Sequence, residues 1–241
     1  QSLSSAASDV YKRQSLARSG IAVTNIGLVT SPILYYAAKK SNSKSGIMIT
    51  GSHNPKDDNG IKMVINNKPV SGTEILSLTK SILDFNGIKE EIINLDIIED
   101  YIDDVLQKIT LNKPENLKVV IDCGNGAAGC VAPELFKRLG CNVINLFSEI
   151  DGNFPNHHPD PGKLANLQDL IKSVKLENAD LGLAFDGDGD RVGLVTEEGN
   201  VVFPDKIMML FAKDVLAKNN GGQIIFDAVS YTHLTLPTTA I

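Results

Sequence analysis

Short apolar runs rich in β-branched residues alternate along the chain with amphipathic stretches. This pattern predicts an α/β fold with some parallel strand pairing. Helices are predicted at residues 32–40, 73–83, 96–109, 133–139, 164–176 and 204–218. Strands are predicted at residues 26–29, 46–50, 61–65, 118–122, 142–147, 181–185, 192–195 and 223–227.

Composition narrows the class of protein without identifying its function. The 241 residues are 42% hydrophobic, which is enough for one large or two ordinary domains with buried cores. The net charge of −6, without a basic stripe, argues against a nucleic-acid or anionic-membrane partner. Three cysteines with no C-x-x-C spacing argue against a disulfide framework and a thiolate zinc site. No apolar run is long enough to span a membrane and no secretory signal is visible, so we expect a cytoplasmic protein.

The two ends of the chain do not continue the periodicity beside them. Residues 2–14 and 229–241 resemble translated sequencing-adapter text. We therefore treat residues 1–14 as a foreign, unstructured end and residues 229–241 as a second foreign end, and exclude both from the fold prediction.

A serine loop follows the predicted strand 46–50. It reads Thr50-Gly-Ser52-His53-Asn-Pro55, and the carboxyl ends of strands are where α/β proteins place their chemistry. Ser52 lies between glycine and a histidine able to carry a proton, as an activated serine nucleophile requires. An ordinary Ser-Asn-Pro turn remains an alternative.

Three aspartates alternate with glycines between two predicted strands, in the sequence Asp186-Gly-Asp188-Gly-Asp190-Arg191. Such a turn directs several carboxylate oxygens at one centre, as Mg²⁺ or Ca²⁺ requires. Glu197 lies at the twelfth position of an EF-hand loop counted from Asp186. However, Arg191 occupies the position where that loop needs glycine, and the flanking segments are strand-like, so we reject an EF-hand.

Two further segments allow both a functional and a structural interpretation. Residues 124–129 match G-x-G-x-x-G after a strand, with Glu149 twenty residues further on, which fits either a dinucleotide site or a glycine turn that permits close packing. The loop 151–162 contains His157 and His158, but adjacent histidines do not easily chelate one ion, and we favour a structured loop. Lys62 lies ten residues after Ser52, a spacing that does not by itself select it for a function.

Taken in order, the segments TGSHNP, DNGIK, DCGNGAAG, DGNFPNHHPDP and DGDGDR closely resemble the alpha-D-phosphohexomutases, specifically the bacterial phosphomannomutase/phosphoglucomutase branch. The resemblance implies that Ser52 carries a phosphoryl group and that Asp186, Asp188 and Asp190 hold Mg²⁺ against it. It also places Lys62 on a family active-site lysine and Arg191 close to the phosphoserine. In that family the segment 124–129 binds no dinucleotide.

The resemblance implies an intramolecular phosphotransferase, an isomerase that interconverts hexose 1-phosphate and hexose 6-phosphate. Phospho-Ser52 would donate to glucose or mannose phosphate, forming a bisphosphorylated sugar that returns its other phosphate to Ser52. Either Lys62 or His53 would manage the proton of the sugar hydroxyl. The alternatives are a Mg²⁺-dependent sugar-phosphate phosphatase and a non-catalytic nucleotide- or calcium-binding module. Sugar preference and oligomeric state are left open.

The resemblance also implies two mixed-sheet α/β domains, the first of them incomplete, and the start of a third. Residues 15–96 would be the partial first domain with the phosphoserine loop, 97–200 the second domain with the metal loop, and 201–228 the start of the third. Family members have four domains, and the substrate-reading loops of the third and fourth have no counterpart here. We therefore expect weak Mg²⁺ binding and negligible mutase activity from this chain alone.

Overall fold

The computed structural model describes residues 3–52, 54, 58–70, 72–78 and 91–219. In these residues the α-helices are α1 (Leu3–Arg18), α2 (Ser31–Lys40), α3 (Gly72–Leu78), α4 (Ile98–Lys108), α5 (Ala132–Arg138), α6 (Gln168–Glu177) and α7 (Pro204–Lys218). The strands are β1 (Val23–Asn25), β2 (Gly46–Thr50), β3 (Gly60–Ile65), β4 (Lys68–Pro69), β5 (Ile92–Asn94), β6 (Lys118–Asp122), β7 (Asn142–Leu146), β8 (Leu181–Phe185), β9 (Val192–Thr196) and β10 (Val201–Val202). The predicted α/β class is confirmed.

The carboxyl-terminal half, from β6 onward, is built around a five-stranded sheet of order β10-β9-β8-β6-β7. Strand β6 pairs in parallel with β7 and β8, whereas β8, β9 and β10 are antiparallel. Alternate residues of β6 are fully buried on opposite faces, Val119 and Ile121 on one side and Val120 on the other, where α6 packs. A strand covered on both faces is why residues 118–122 are almost continuously apolar.

The amino-terminal half contains two small sheets. Strands β1 and β5 pair in parallel, and β2, β3 and β4 form a separate antiparallel sheet. Helix α2 packs on β2 and also contacts α4. A third core cluster, containing Ile33 of α2, Ile102 of α4 and Val131 just before α5, joins the two halves of the molecule.

Two local predictions differ from the structure. Residues 26–29 were predicted as a strand, but the strand is β1, and Gly27 then turns the chain with a φ of +74°. The apolar side chain of Val29 packs in the third core cluster although the residue does not lie in a strand. The prediction of an unstructured segment at residues 1–14 is also wrong for residues 3–14, which belong to α1. They contain no glycine or proline, and α1 packs against β1, β2 and β5.

Several predictions fall outside the described residues: the end of the predicted helix 73–83, the predicted strand 223–227 and the carboxyl-terminal segment 229–241. Within the part of the chain that the structure describes, no helix combines the length and the apolar character needed to cross a bilayer.

Candidate active site

The loop of alternating aspartates and glycines connects β8 to β9 at one end of the five-stranded sheet. The side chain of Asp186 closes this turn, because its Oδ1 accepts the backbone N–H groups of Asp190 and Arg191, both at 3.0 Å. Gly189 adopts a φ of +69°, which glycine allows without steric cost. The turn is therefore held by a buried carboxylate rather than by exposed polar contacts.

The loop brings its three carboxylates together. One oxygen from each of Asp186, Asp188 and Asp190 lies within 4.8 Å of the other two. Asp186 is fully buried and Asp188 is 3% exposed, whereas Asp190 is exposed. In the part of the chain that the structure describes, the buried Oδ1 of Asp188 has no hydrogen-bond partner, and a buried anionic oxygen left in that state is costly. A divalent cation with a preference for oxygen ligands fits this set.

Ser52 lies directly against the aspartate loop. It follows β2 in a left-handed conformation, with a φ of +52°, and its N–H donates to Thr50 Oγ1 at 2.9 Å. Its Oγ donates to Asp186 Oδ2 at 3.0 Å, although the two residues are 134 positions apart in the sequence. A positive φ at a residue other than glycine is uncommon and concentrates at functional sites.

Lys62 supplies positive charge from the neighbouring strand β3. Its Nζ donates to Asp188 Oδ2 at 2.5 Å and to Asp190 Oδ2 at 2.6 Å. It also donates to Ser31 Oγ at 3.2 Å, at the start of α2. The structure therefore brings together Ser52, Lys62 and the three aspartates.

The surroundings of the cluster shift the pKa values of Asp186 and Asp188 in opposite directions. Burial raises the pKa of Asp186 to about 6, and the charges of Asp188 and Asp190 add to that effect. Burial also acts to raise the pKa of Asp188, but hydrogen bonds from Lys62 and Ser31 outweigh it and lower that pKa below its usual value. Burial acts to lower the pKa of Lys62, but its bonds to Asp188 and Asp190 prevail and the pKa is raised.

The other two residues predicted to be catalytic are Arg191 and His53. Arg191 is exposed, directly after the aspartate loop, and its backbone N–H bonds to Asp186. His53 lies outside the described residues.

Ser31 was not identified from the sequence. It is fully buried, and its Oγ donates to Asp188 Oδ2 at 2.6 Å, while its backbone N–H donates to the carbonyl oxygen of Asp188 at 2.9 Å. The available signal was its position before Pro32 in the first turn of a predicted helix. That signal marks a helix start and says nothing of a partner 157 positions away.

The glycine-rich segment 124–129 packs against the aspartate loop. A Cβ at residue 126 would lie 2.8 Å from the carbonyl oxygen of Gly187, and the N–H of Ala127 donates to that oxygen at 2.8 Å. A Cβ at residue 129 would lie 2.1 Å from the carbonyl oxygen of Ser148. These contacts support the packing interpretation of the segment over the dinucleotide site.

The histidine loop is tied to the central strand β6. Both oxygens of the buried Asp122 lie within 3.1 Å of His157 Nε2, and His157 Nδ1 lies 3.0 Å from the carbonyl oxygen of His158. Among the described residues, the cluster of at least three potential metal ligands is the aspartate triad, and it includes neither histidine. This agrees with the structured-loop interpretation.

Comparison with known proteins gives consistent matches to one family. Two family models match: "Phosphoglucomutase/phosphomannomutase, alpha/beta/alpha domain I" over residues 9–84 and the corresponding domain II over residues 99–199. The two matches together cover more than half of the chain.

Individual relatives agree with these matches. A phosphomannomutase/phosphoglucomutase of Pseudomonas syringae pv. tomato is 54% identical over 224 residues, which are 92% of this chain and 48% of that protein. A phosphoglucomutase of Neisseria gonorrhoeae is 47% identical over 230 residues, 93% of this chain and 49% of that protein. The crystal structure of a phosphoglucomutase/phosphomannomutase family protein from Burkholderia thailandensis is 44% identical and superposes with a TM-score of 0.80, covering 86% of this chain and 47% of that one. The chain thus spans about half the length of the relatives it matches.

Proposed function

The chain belongs to the phosphoglucomutase/phosphomannomutase family of alpha-D-phosphohexomutases, and we propose that it is the part of such an enzyme that carries the transferred phosphoryl group. The reaction is the interconversion of hexose 1-phosphate and hexose 6-phosphate. Phospho-Ser52 gives its phosphoryl group to the free hydroxyl of glucose or mannose phosphate, and the hydroxyl proton passes to a base. The bisphosphorylated sugar then returns its other phosphoryl group to Ser52 and leaves as the isomer.

One observation carries the proposal: the hydroxyl of Ser52 donates to Asp186 across 134 positions of sequence, beside two further carboxylates and a lysine. An ordinary surface turn does not require a serine with a positive φ to donate to a buried carboxylate. Phosphoryl transfer needs a nucleophilic oxygen held in place and positive charge around the moving group, and this site supports both.

The carboxylates of Asp186, Asp188 and Asp190 are proposed to hold Mg²⁺. Three hard oxygens lie within 4.8 Å of one another, and the buried Asp188 Oδ1 finds no hydrogen-bond partner in the described residues, which suits an ion of this class. When bound, Mg²⁺ would supply positive charge that neutralises the phosphoryl oxygens.

The chain's own side chains supply the remaining functions. The contact with Asp186 orients the Ser52 hydroxyl. The pKa of Lys62 is raised, so its side chain is cationic and brings a second positive charge to the site. We propose that either His53 or Lys62 carries the proton of the sugar hydroxyl, and Lys62 can accept it only as the neutral amine, a form that its bonds to Asp188 and Asp190 disfavour. Arg191 is proposed to act near the phosphoserine.

The test measures phosphorylation of Ser52 rather than turnover, because the chain spans about half the length of its relatives. The protein is incubated with glucose 1,6-bisphosphate and Mg²⁺ and analysed by intact-mass spectrometry. We expect the added mass of one phosphoryl group in the wild type and none in Ser52→Ala. Ser43→Ala, at an exposed serine, is the matched control and should be phosphorylated as the wild type is.

Equal phosphorylation of Ser52→Ala and wild type would contradict the role of Ser52. Release of inorganic phosphate, without accumulation of the phosphoprotein or of sugar bisphosphate, would favour the phosphatase alternative.

A further inference from the structure

Asp188 is the most constrained of the three aspartates, and Ser31 is the residue that constrains it. The serine begins α2 in the amino-terminal half, whereas Asp188 lies in the β8–β9 loop of the carboxyl-terminal half. Two hydrogen bonds join them, one from the Ser31 backbone to the Asp188 carbonyl oxygen and one from the hydroxyl to Oδ2. The contact therefore fixes both the backbone and the side chain of Asp188.

The hydroxyl of Ser31 has one proton, which limits what it can do. At 2.6 Å, Asp188 Oδ2 is its closest acceptor, and Met48 Sδ at 3.3 Å is a weaker one. A lone pair of the same oxygen accepts a hydrogen bond from Lys62 Nζ at 3.2 Å. Ser31 therefore contacts both Lys62 and Asp188, which are also bonded directly to each other.

The two oxygens of Asp188 consequently have different surroundings. Oδ2 accepts hydrogen bonds from Ser31 and from Lys62, whereas the buried Oδ1 has no hydrogen-bond partner among the described residues. Rotation of the carboxylate would break two bonds to Oδ2, so the unbonded oxygen keeps one direction.

We propose that Ser31 is a positioning residue that holds Asp188 Oδ2 so that Oδ1 is presented to the cation. This inference rests on the proposed metal site and adds a specific residue from the other half of the molecule. Ser31 is not itself proposed as a metal ligand, and it acts on the cation through Asp188, whose Oδ2 it holds. Its role is that of an outer partner that orients a ligating carboxylate, and removal of such partners typically weakens metal affinity about 10- to 100-fold.

The local packing explains why a small hydroxyl residue is needed here. Ser31 is fully buried, and the adjacent Thr30 is 3% exposed. A Cβ at residue 189 would lie 2.9 Å from Thr30 Cγ2, so the aspartate loop already fits tightly against the first turn of α2. Because Ser31 is fully buried, bulk water does not reach the position of its hydroxyl.

The experiment measures Mn²⁺ binding to the whole chain by electron paramagnetic resonance, with Mg²⁺ as competitor. Mn²⁺ shares the preference of Mg²⁺ for carboxylate oxygens. Ser31→Ala should raise the dissociation constant about 10- to 100-fold. Ser31→Thr keeps the hydroxyl but adds a methyl group to a buried position, so it should recover part of the affinity that Ser31→Ala loses. Ser41→Ala removes a hydroxyl at the other end of α2 and should leave the affinity unchanged.

A double-mutant cycle separates positioning from general destabilisation. If Ser31 acts through Asp188, Ser31→Ala should have little further effect on Mn²⁺ affinity in an Asp188→Asn background. Thermal unfolding in EDTA checks that each variant is folded when metal-free.

The outcomes are distinguishable. Unchanged Mn²⁺ affinity in Ser31→Ala, with a wild type that binds, would overturn the role of Ser31 and leave the metal site intact. Equal losses from Ser31→Ala in the wild-type and Asp188→Asn backgrounds would also overturn it. No Mn²⁺ binding by the folded wild type would overturn the metal site and this inference together.

Discussion

Ser52 and the aspartate loop can approach each other because residue 187 has no side chain. A Cβ on Gly187 would lie 2.2 Å from the carbonyl oxygen of Ser52, far inside contact distance. On its other side, Gly187 faces Gly126, which is similarly restricted. The backbone of the aspartate loop is thus enclosed between the serine loop and the glycine-rich segment.

Gly187→Ala should therefore separate the serine from its carboxylate. We expect the free energy of unfolding to fall by about 1–3 kcal/mol, the usual cost of overpacking, and phosphorylation of Ser52 to be strongly reduced. Gly72→Ala is the control, because a Cβ there meets no heavy atom within 4 Å and alanine favours the helix it begins. Chemical denaturation and intact-mass spectrometry measure the two effects. Normal phosphorylation of Gly187→Ala would show that the close approach is not required.

The histidine loop is bound to strand β6 by the ion pair between His157 and Asp122, and the strength of this pair depends on pH. Both ring nitrogens of His157 face acceptor oxygens, an arrangement that the doubly protonated ring satisfies best. The hydrogen bond to Asp122 is the main cause that raises the pKa of His157, with smaller contributions from the carbonyl of His158 and the charge of Asp169, while burial opposes them.

Because its folded pKa is raised, His157 stabilises the fold fully below its unfolded pKa of about 6.5 and loses that effect as the pH rises through the folded pKa. His157→Gln should therefore lower the free energy of unfolding more at about pH 6 than at about pH 9. Asp122→Asn should remove the same pH-dependent contribution to the free energy of unfolding, because it removes the partner of the charged ring. Urea denaturation of the three proteins at both pH values measures it. A His157→Gln effect that is constant with pH would contradict the charged pair.

Elements buried on both faces are the ones that the sequence predicts best. Strands β6 and β8 lie within the core of the five-stranded sheet, so their apolar runs are long and unambiguous. Residues 26–29 are equally apolar, but Gly27 and the packing of Val29 decide their structure, and local pattern does not contain that information.

The same limit applies to the site. Ser52 and the three aspartates lie in short motifs whose residue types already indicate their chemistry. Ser31 and the Asp122–His157 pair contribute through partners 157 and 35 positions away, so only the folded arrangement reveals them. Lys62 belongs with the second group, because its spacing does not select it and its contacts with Asp188 and Asp190 are tertiary.

The two halves of the molecule meet at the site as well as at the third core cluster. Ser31, Ser52 and Lys62 come from the amino-terminal half, and the aspartates that they contact come from the other. Elsewhere the amino-terminal half is more open. A cavity of about 1230 Å³ extends from Ser52 along β1 and β2, whose residues line it, and these strands belong to separate sheets.

This cavity implies a gradient of amide hydrogen exchange across the fold. Strand β6 is paired on both edges and buried on both faces. Among the described residues, β1 pairs only with the three-residue β5, and β2 pairs only with β3. Strands with one paired edge beside open space are released by local opening at lower free energy than the central strand. Deuterium uptake followed by mass spectrometry should therefore be faster in peptides covering β1 and β2 than in those covering β6 and β8. Equal protection would mean that the molecule opens as one unit.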